Sequence, residues 1–420
     1  MTLDSIPVNL AVDIERCSAE LERLAQFSDV SAPAVKRVVF TDADLEARQY
    51  LTGLFREAGL DVRTDAVGNI FARWPGADPS LPPVATGSHT DAIPYSGKYD
   101  GTVGVLGALE AIRTLQRAGA YRPRRSVELI MFTSEEPTRF AYGCLGSRLL
   151  SGQMKPEAAA NLKDEGGATL EEVRTAAGCT GALSEVALNN GAYSAFVELH
   201  IEQGPRLERA GLPIGAVTAI AAPAALRVRY QGPGGHAGGV LMADRADPLL
   251  AGAQLALEVE AAARELGGAD SVGTVGVLDV HPRSVNSIPR DVLLEIDLRD
   301  IDGPRRDRVL DRIRSQATAF GAARGTPTTV ELINADPPAT CDPAIVAAVE
   351  QASADSGLAC QRMISRAYHD SLFMSLVCPI AMIFIPCKGG VSHRPEEYAS
   401  PEAIRAGIEV LARTLAKLAE

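Results

Sequence analysis

The feature that most constrains the fold of this 420-residue chain is a change of pattern between residues 214 and 332. Outside that stretch, short apolar strands at 84–87, 127–133 and 380–385 alternate with helical segments. Such strands indicate a mainly parallel sheet that helices cover on both faces. The predicted order inside the stretch is strand 224–231, helix 247–266, strands 271–281 and 291–299, helix 304–321 and strand 327–333.

This β-α-β-β-α-β order is typical of a small sheet with two helices on one face. The parallel-sheet pattern resumes after it, with a helix at 342–356 and the strand at 380–385. We therefore predict an α/β fold in which residues 1–213 and 333–420 form a mainly parallel-sheet domain covered by helices. Residues 214–332 would be an inserted, smaller α+β domain. Further helices are predicted at 8–27, 42–58 and 101–118.

Composition argues against several classes of function. With 41 Lys+Arg against 53 Asp+Glu, the formal net charge of −12 would repel nucleic acid and anionic membranes. The longest apolar run, from Leu376 to Cys387, is well short of the roughly 18 residues that a membrane helix needs. Seven scattered cysteines without a CxxC pair, and acidic residues such as Asp4 near the N-terminus, favour a cytoplasmic protein with free thiols.

Chemically competent residues collect where predicted strands end, which is where ligands gather in parallel sheets. His89 ends the first such strand; it could bind a metal ion while Asp91 accepts its other N–H and fixes the tautomer. Asp100, flanked by Tyr99 and Gly101, could bridge two ions, and it could equally be a helix N-cap.

A pair of glutamates and two further histidines add to this set. Glu135 and Glu136 directly follow the strand at 127–133; adjacent carboxylates diverge, so one could bind metal and the other take a proton. Alternation places Glu198, His200 and Glu202 on one strand face, and His393 follows the strand at 380–385. Three of the six histidines at such junctions, each near acids, predict a dinuclear metal site.

At these residues the chain resembles the dinuclear-metal amidohydrolases, which include N-carbamoyl-amino-acid hydrolases, allantoate amidohydrolase and ureidoglycolate amidohydrolase. The resemblance spans nearly the whole chain, and the segments after the glutamate pair and around residues 368 and 382–400 look most like the ureidoglycolate branch. Its motifs are GSHTDA (87–92), YDGTVGVLGALE (99–110), FTSEEPTRF (132–140), ELHIEQGPRLE (198–208), GPGGHAGG (232–239), VNSIP (285–289), DLR (297–299), AYHDSLFM (367–374) and MIFIPCKGGVSHRPEEYAS (382–400).

The resemblance implies a role for each motif residue. Glu135 would be the general base, Asp91 would orient His89, and the inserted domain would be a lid and dimerisation domain whose His236 stabilises an oxyanion. The implied metal ligands are His89, Asp100 as the bridge, Glu136, His200 and His393. The implied substrate contacts are Gln203, His236, Asn286, Arg299, Tyr368 and His369.

The implied activity is metal-dependent hydrolysis of the ureido C–N bond of a small anionic ureide, foremost ureidoglycolate, by a homodimer that binds neither nucleic acid nor membrane. Two divalent ions per subunit are expected; carboxylate and imidazole ligands suit Mn²⁺ or Zn²⁺, with Co²⁺ or Ni²⁺ as further options, and the resemblance favours Mn²⁺. Allantoate or an N-carbamoyl-L-amino acid are alternative substrates. An aminoacylase or dipeptidase and a binding protein without activity are more distant alternatives.

Overall fold

The structure is a computed structural model that describes residues 10–119 and 121–420. Asp4 and the first two residues of the helix predicted at 8–27 lie outside the described residues. The strands are β1 (Val35–Arg37), β2 (Asp61–Thr64), β3 (Ile70–Trp74), β4 (Val84–His89), β5 (Ala92–Ser96), β6 (Val127–Phe132), β7 (Ala195–Ile201), β8 (Ile214–Ile220), β9 (Ala222–Gln231), β10 (Gly235–His236), β11 (Val272–His281), β12 (Ser287–Ile288), β13 (Asp291–Asp300), β14 (Thr328–Ala335), β15 (Ala339–Thr340), β16 (Cys360–Ser365) and β17 (Ile380–Ile385).

Helices occur at each position where the sequence predicts one. The helices are α1 (Ile14–Ala25), α2 (Asp42–Glu57), α3 (Thr102–Arg117), α4 (Leu145–Leu150), α5 (Pro156–Ala160), α6 (Leu170–Ala176), α7 (Arg206–Ala210), α8 (Pro248–Leu266), α9 (Gly303–Ala323), α10 (Pro343–Asp355), α11 (Asp370–Met374) and α12 (Pro401–Leu418). None of the helices in the described part of the chain combines the length and apolar character needed to span a bilayer.

The chain divides into two compact units. Within the described residues, the first comprises the chain up to Thr218 together with Thr340–Met363 and His369–Glu420. Its main sheet has the order β15-β8-β17-β7-β4-β6-β3-β2, and β16 pairs with β8. The four central strands β17, β7, β4 and β6 run parallel, whereas β8, β3 and β2 pair antiparallel at the flanks. The predicted mainly parallel sheet is therefore confirmed.

Helix α3 packs directly on the central strands, because small residues line its inner side. A Cβ added at Gly104 would lie 2.5 Å from the Leu199 carbonyl oxygen and from the Ser88 Cβ. Helix α12 packs against α3, β17 and β7. The close approach of α3 fixes the start of this helix, and with it the preceding loop, against the carboxyl ends of the strands.

The second unit comprises Ala219–Ala339 and Ile364–Tyr368. Its four-stranded antiparallel sheet has the order β11-β13-β9-β14 and carries α8 and α9. The inward residues of β13, Val292, Leu294, Ile296 and Leu298, are buried with those of both helices in one core. The predicted β-α-β-β-α-β order is present, and the alternation along β13 matches the one that the sequence showed.

The boundaries of this unit differ from the predicted 214–332. Residues 214–218 lie in the first unit, because β8 pairs with the central strand β17 through Met382 and Val217. Residues 333–339 and 364–368 lie in the second unit. The difference arises because only one residue separates β8 from β9 in sequence. The hydropathy of the sequence therefore does not change where the chain passes from one sheet to the other.

Candidate metal centre

Four parallel strands bring the candidate ligands to one edge of the first unit. His89 is the last residue of β4 and lies in register with Phe132, the last residue of β6, which is followed by Glu135 and Glu136. His200, near the end of β7, lies beside Phe384 of β17. Because the carboxyl ends of parallel strands share one edge, residues far apart in sequence converge there.

His89 and His200, both buried, present the same ring nitrogen to the centre of the cluster. His89 Nδ1 lies 3.0 Å from the Asp91 carbonyl oxygen, and His200 Nδ1 lies 2.9 Å from the Ile201 carbonyl oxygen. A carbonyl only accepts hydrogen bonds, so both Nδ1 atoms carry a proton and both Nε2 atoms are directed to the cluster. Loss of the Nε2 proton on metal binding would leave the tautomer that a metal ligand needs.

Asp100 lies between the histidines. Its Oδ1 is 3.1 Å from His200 Nε2 and 3.7 Å from His89 Nε2, and its Oδ2 is 3.2 Å from His393 Nε2. Glu136 Oε1 lies 3.3 Å from the same His393 nitrogen. Two sets of possible ligand atoms, each within 4.8 Å of one another, therefore share this aspartate: His89, Asp100 and His200, and Asp100, Glu136 and His393.

A glycine beside Asp100 is required by the close packing of the cluster. Gly101 has φ of 64°, and a Cβ there would lie 2.4 Å from His89 Nε2. Its N–H lies 3.2 Å from His200 Nε2. Asp100 itself does not cap α3, because the N-cap is Gly101 and makes no side-chain cap hydrogen bond. The alternative interpretation of Asp100 as a helix N-cap is therefore wrong.

Glu135 lies beside the two sets with one oxygen directed to them. Its Oε2 is 3.7 Å from His89 Nε2, and the Cys144 thiol lies 3.4 Å from its Oε1. The Cys144 backbone N–H also donates to the Glu135 carbonyl at 2.7 Å. The side chain is thus held at one oxygen, which leaves the other facing the ligand cluster.

The electrostatics of this cluster fit divalent cations. Burial, opposed by His89, raises the pKa of Glu135 well above its usual value, and burial with Asp100 raises that of Glu136 to about 7. Burial also acts on Asp100, yet its hydrogen bonds to His200, His393 and His89 hold its pKa well below the usual range. Crowded carboxylates opposite imidazole nitrogens form an oxygen and nitrogen donor set that suits Mn²⁺, Zn²⁺ and similar ions.

Asp91 contacts the cluster in a way that differs from the expected one. Its carboxylate lies 3.8 Å from His89 Nδ1 and instead accepts the backbone N–H groups of Glu135 at 3.2 Å and Glu136 at 3.0 Å. The His89 ring is held by the Asp91 carbonyl oxygen. Asp91 therefore connects the loop of His89 to the loop of both glutamates.

Of the three residues that alternation placed together, Glu198 and His200 lie close enough to form a further possible ligand set with His369, whereas Glu202 has separate surroundings. His200 faces the cluster, whereas Glu198 accepts from Ser88 Oγ at 2.7 Å and from Ser371 Oγ at 2.6 Å. Glu202 follows the end of β7 and accepts the backbone N–H groups of Arg206 and Leu207 at the start of α7.

The expected substrate contacts fall in both units. In the first, Gln203 Nε2 donates to Asp100 Oδ2 at 2.8 Å, and the buried His369 ring lies 4.6 Å from that of His200. In the second, the Ala237 N–H, next to His236, donates to the Asn286 carbonyl at 2.9 Å. Arg299 pairs with Asp297 at 2.8 Å, and the Tyr368 hydroxyl donates to Asp336 at 3.1 Å.

One buried residue at the cluster was not predicted. Glu397 is 3% exposed and contacts the loops that carry Asp100 and His393. In the sequence it follows Glu396 within a polar run, where the two glutamates have the same appearance. Only the tertiary contacts distinguish them.

Comparison with known proteins gives the family. The sequence profile of the peptidase family M20/M25/M40 matches residues 85–417. The chain belongs to this family. It is 51% identical over 98% of its length to ureidoglycolate hydrolase of Arabidopsis thaliana, of which 87% is covered. It is 37% identical over 97% of its length to an N-carbamoyl-L-amino acid amidohydrolase of Geobacillus stearothermophilus, of which 98% is covered.

Two solved structures agree with this assignment. The crystal structures of AtUAH in complex with glyoxylate and with (S)-hydroxyglycine each match with a TM-score of 0.90 and 51% identity, covering 99% of this chain and 100% of theirs. The expected family, its α/β fold and its class of hydrolases that act on carbon–nitrogen bonds are confirmed.

Proposed function

We propose that this chain is a metal-dependent amidohydrolase that cleaves the ureido C–N bond of a small anionic ureide, foremost ureidoglycolate, with glyoxylate, ammonia and CO₂ as products. The observation that carries the proposal is the pair of ligand sets sharing Asp100, with Glu135 beside them, in a chain half identical to a ureidoglycolate hydrolase. The glyoxylate complex of AtUAH, equally similar, supports the same product.

Two divalent ions would be held by His89, Asp100 and His200 on one side and by Asp100, Glu136 and His393 on the other. When bound, such ions lower the pKa of water and polarise a carbonyl group. Of the ions that this donor set accepts, we propose Mn²⁺, with Zn²⁺, Co²⁺ or Ni²⁺ as alternatives. The nearby Cys144 thiol is directed to Glu135 and adds no thiolate ligand.

Glu135 would act as general base and then as general acid. Its free oxygen faces the ligand cluster at 3.7 Å from His89 Nε2, and burial, opposed by His89, raises its pKa well above the usual value. It would remove a proton from the attacking water and return it to the leaving nitrogen. Asp91, which holds the backbone of Glu135 and Glu136, would keep both glutamates in place.

The second unit would supply the remaining contacts to substrate. His236 would stabilise the oxyanion, and Asn286 and Arg299 would bind the ureide, the planar guanidinium of Arg299 matching a carboxylate. Gln203, Tyr368 and His369 would complete the pocket. We further propose that this unit is a lid through which a homodimer forms, and that the enzyme is cytoplasmic with no nucleic-acid or membrane partner.

The net charge of −12 is compatible with an anionic substrate, because the ions change the local charge. Two divalent ions contribute +4, and Asp100, Glu135 and Glu136 contribute −3, which leaves the centre at about +1 when Asp91 is not counted. An anionic ureide would therefore meet a cationic site on an otherwise acidic protein.

A panel assay tests the substrate. Metal-free protein is reconstituted with Mn²⁺ and offered ureidoglycolate, allantoate, an N-carbamoyl-L-amino acid, an N-acyl amino acid and a dipeptide, with ammonia and amine release both measured. We expect ammonia release, highest with ureidoglycolate. Hydrolysis of the dipeptide or acyl amino acid alone would contradict the ureide proposal.

Glu135→Gln tests the base. We expect kcat to fall by about 10²- to 10⁴-fold with the bound metal unchanged, since a general base contributes a factor of this size. Glu165→Gln, the same substitution at an exposed site, is the matched control. Near-normal turnover of the Glu135 variant would show that another group takes the proton.

Mixing two inactive variants tests whether His236 acts on the partner subunit's site. A His236→Ala subunit combined with an Asp100→Asn subunit should regain part of the activity if the site is shared. No recovery in proven mixed dimers would contradict this arrangement.

A further inference from the structure

Glu397, outside both ligand sets, hydrogen-bonds to two separate loops. Its Oε1 accepts the backbone N–H groups of Tyr99 and Asp100, both at 3.0 Å. Its Oε2 accepts from Ser392 Oγ at 2.9 Å and from the His393 N–H at 3.3 Å. The two loops are thus joined by one carboxylate, although Asp100 and Glu397 are 297 positions apart in sequence.

The fit around this carboxylate leaves little room for movement. Glu397 is 3% exposed, and a Cβ added at Gly97 would lie 2.4 Å from its Cβ and 2.6 Å from its Oε1. Ser392 Oγ also lies 3.1 Å from Asp100 Oδ2, so the two loops meet at a second point. A buried carboxylate with its lone pairs used by four donors is held in one orientation.

We propose that Glu397 is a positioning residue that sets the separation of Asp100 and His393, and thereby the ligand set that Asp100, Glu136 and His393 would form. This proposal rests on the dinuclear centre described under Proposed function. Glu397 belongs to neither ligand set; it would act through the backbone of one ligand loop and through the backbone and Ser392 hydroxyl of the other.

Each oxygen of Glu397 binds the loop of a different ligand, Oε1 that of Asp100 and Oε2 that of His393, so a substitution can separate the two contacts. In Glu397→Gln the amide oxygen can still accept from Tyr99 and Asp100, but the amide NH₂ then faces the His393 N–H, and two donors cannot pair. The reverse orientation frees the Asp100 loop instead. The Asp100 side presents two backbone N–H donors, whereas the His393 side presents one backbone N–H and the rotatable Ser392 hydroxyl, so we expect the amide oxygen to keep the Asp100 side and release His393.

The test measures bound metal and does not require the substrate to be known. Metal-free wild type and Glu397→Gln are titrated with Mn²⁺ by calorimetry, and electron paramagnetic resonance reports whether two ions are spin-coupled. We expect the wild type to bind two ions. In the variant we expect one ion at near wild-type affinity, a second weakened by about 10- to 100-fold, and loss of the coupled signal at low Mn²⁺.

Glu396→Gln is the matched control. It removes the same charge one residue earlier, from a side chain that is 64% exposed and pairs with Arg394. We expect it to bind both ions as the wild type does. Gly97→Ala is the second variant, since the added methyl group would displace the Glu397 side chain without altering any ligand, and it should also weaken one ion selectively.

Two outcomes would overturn the proposal: unchanged affinity for both ions in Glu397→Gln, or equal weakening of both ions together with a lower unfolding temperature, which would indicate a purely structural role. Selective loss of one ion supports it. If wild-type protein binds two ions but releases no ammonia from any ureide, the proposed substrate fails while this proposal stands.

Discussion

Single residues at the metal centre are held mainly by backbone groups. The imidazoles of His89 and His200 are fixed by carbonyl oxygens, the Asp91 carboxylate accepts the N–H groups of both glutamates, and Glu397 accepts those of Tyr99 and Asp100. Side chains that act through the backbone set the positions of ligands without touching them. Their removal should therefore change metal affinity as well as stability.

Arg37 also acts on the backbone, and its side chain is a buried charge. Its guanidinium is 1% exposed and donates to the carbonyl oxygens of Thr90 at 2.7 Å, Phe27 at 2.9 Å and Leu24 at 2.5 Å. Burial lowers the pKa of Arg37 to about 10, so it stays charged at neutral pH. It connects the end of α1 to the residue between His89 and Asp91.

We expect Arg37→Met to lower the free energy of unfolding by at least about 2 kcal/mol, because buried acceptors would lose their donor. Urea unfolding measures this, with Arg362→Met, at a side chain 63% exposed, as a control expected to change stability by less than about 0.5 kcal/mol. Metal affinity of Arg37→Met should also fall. A stability equal to that of the control variant would contradict the role given to these contacts.

For single residues, the sequence predicted candidate ligands that the structure places close together, but it did not predict the groups that hold them in position. His89, Asp100, Glu136, His200 and His393 were recognisable because strand ends and the resemblance marked them. Periodicity grouped Glu198 and Glu202 with His200, yet one binds two serines and the other binds the start of α7. A local pattern gives the face of a strand, but it does not give the partner that the rest of the chain brings to that face.

Among the secondary structure elements, α3 has the most demanding contact, since Gly104 lies against the backbone of β7 and the Ser88 side chain of β4. We expect Gly104→Ala to destabilise the protein by about 1–3 kcal/mol through overpacking, and to displace the loop of Asp100. Gly53→Ala is the control: its site in α2 has nothing within 4 Å, so it should stabilise by about 0.5–1 kcal/mol. Thermal unfolding of both variants measures the difference, and similar effects would contradict the close contact.

The elements themselves were largely predictable, because apolar runs and helical periodicity mark them directly. The strand predicted at 380–385 and the helices at 42–58 and 101–118 agree with β17, α2 and α3 within about a residue. What could not be predicted is which sheet receives β8, since strand pairing depends on residues about 160 positions later. The error at the domain boundary follows from that.

In the whole molecule, all five proposed ligands lie in the first unit, on segments before and after the second unit in sequence. Bound ions would therefore stabilise the first unit by joining these segments. At a free metal concentration 100-fold above Kd the stabilisation is about 2.7 kcal/mol.

Calorimetry with and without a chelator tests this prediction. We expect chelation to lower the transition of the first unit and to leave that of the second, which has its own core, unchanged. Asp100→Asn, which alters the ligand common to both sets, should show no response to the chelator. Equal shifts of both transitions would contradict the assignment of the ions to the first unit.

The order of the ligands along the chain has a consequence for biosynthesis. His89, Asp100 and His200 are translated before the second unit, whereas His393 emerges only after it, in the last strand-to-loop segment of the sheet. On the ribosome, one set of donor atoms is thus complete about 190 residues before the other. The nascent chain would therefore acquire the two proposed coordination sites in sequence, the second only after β17 has been added beside β7.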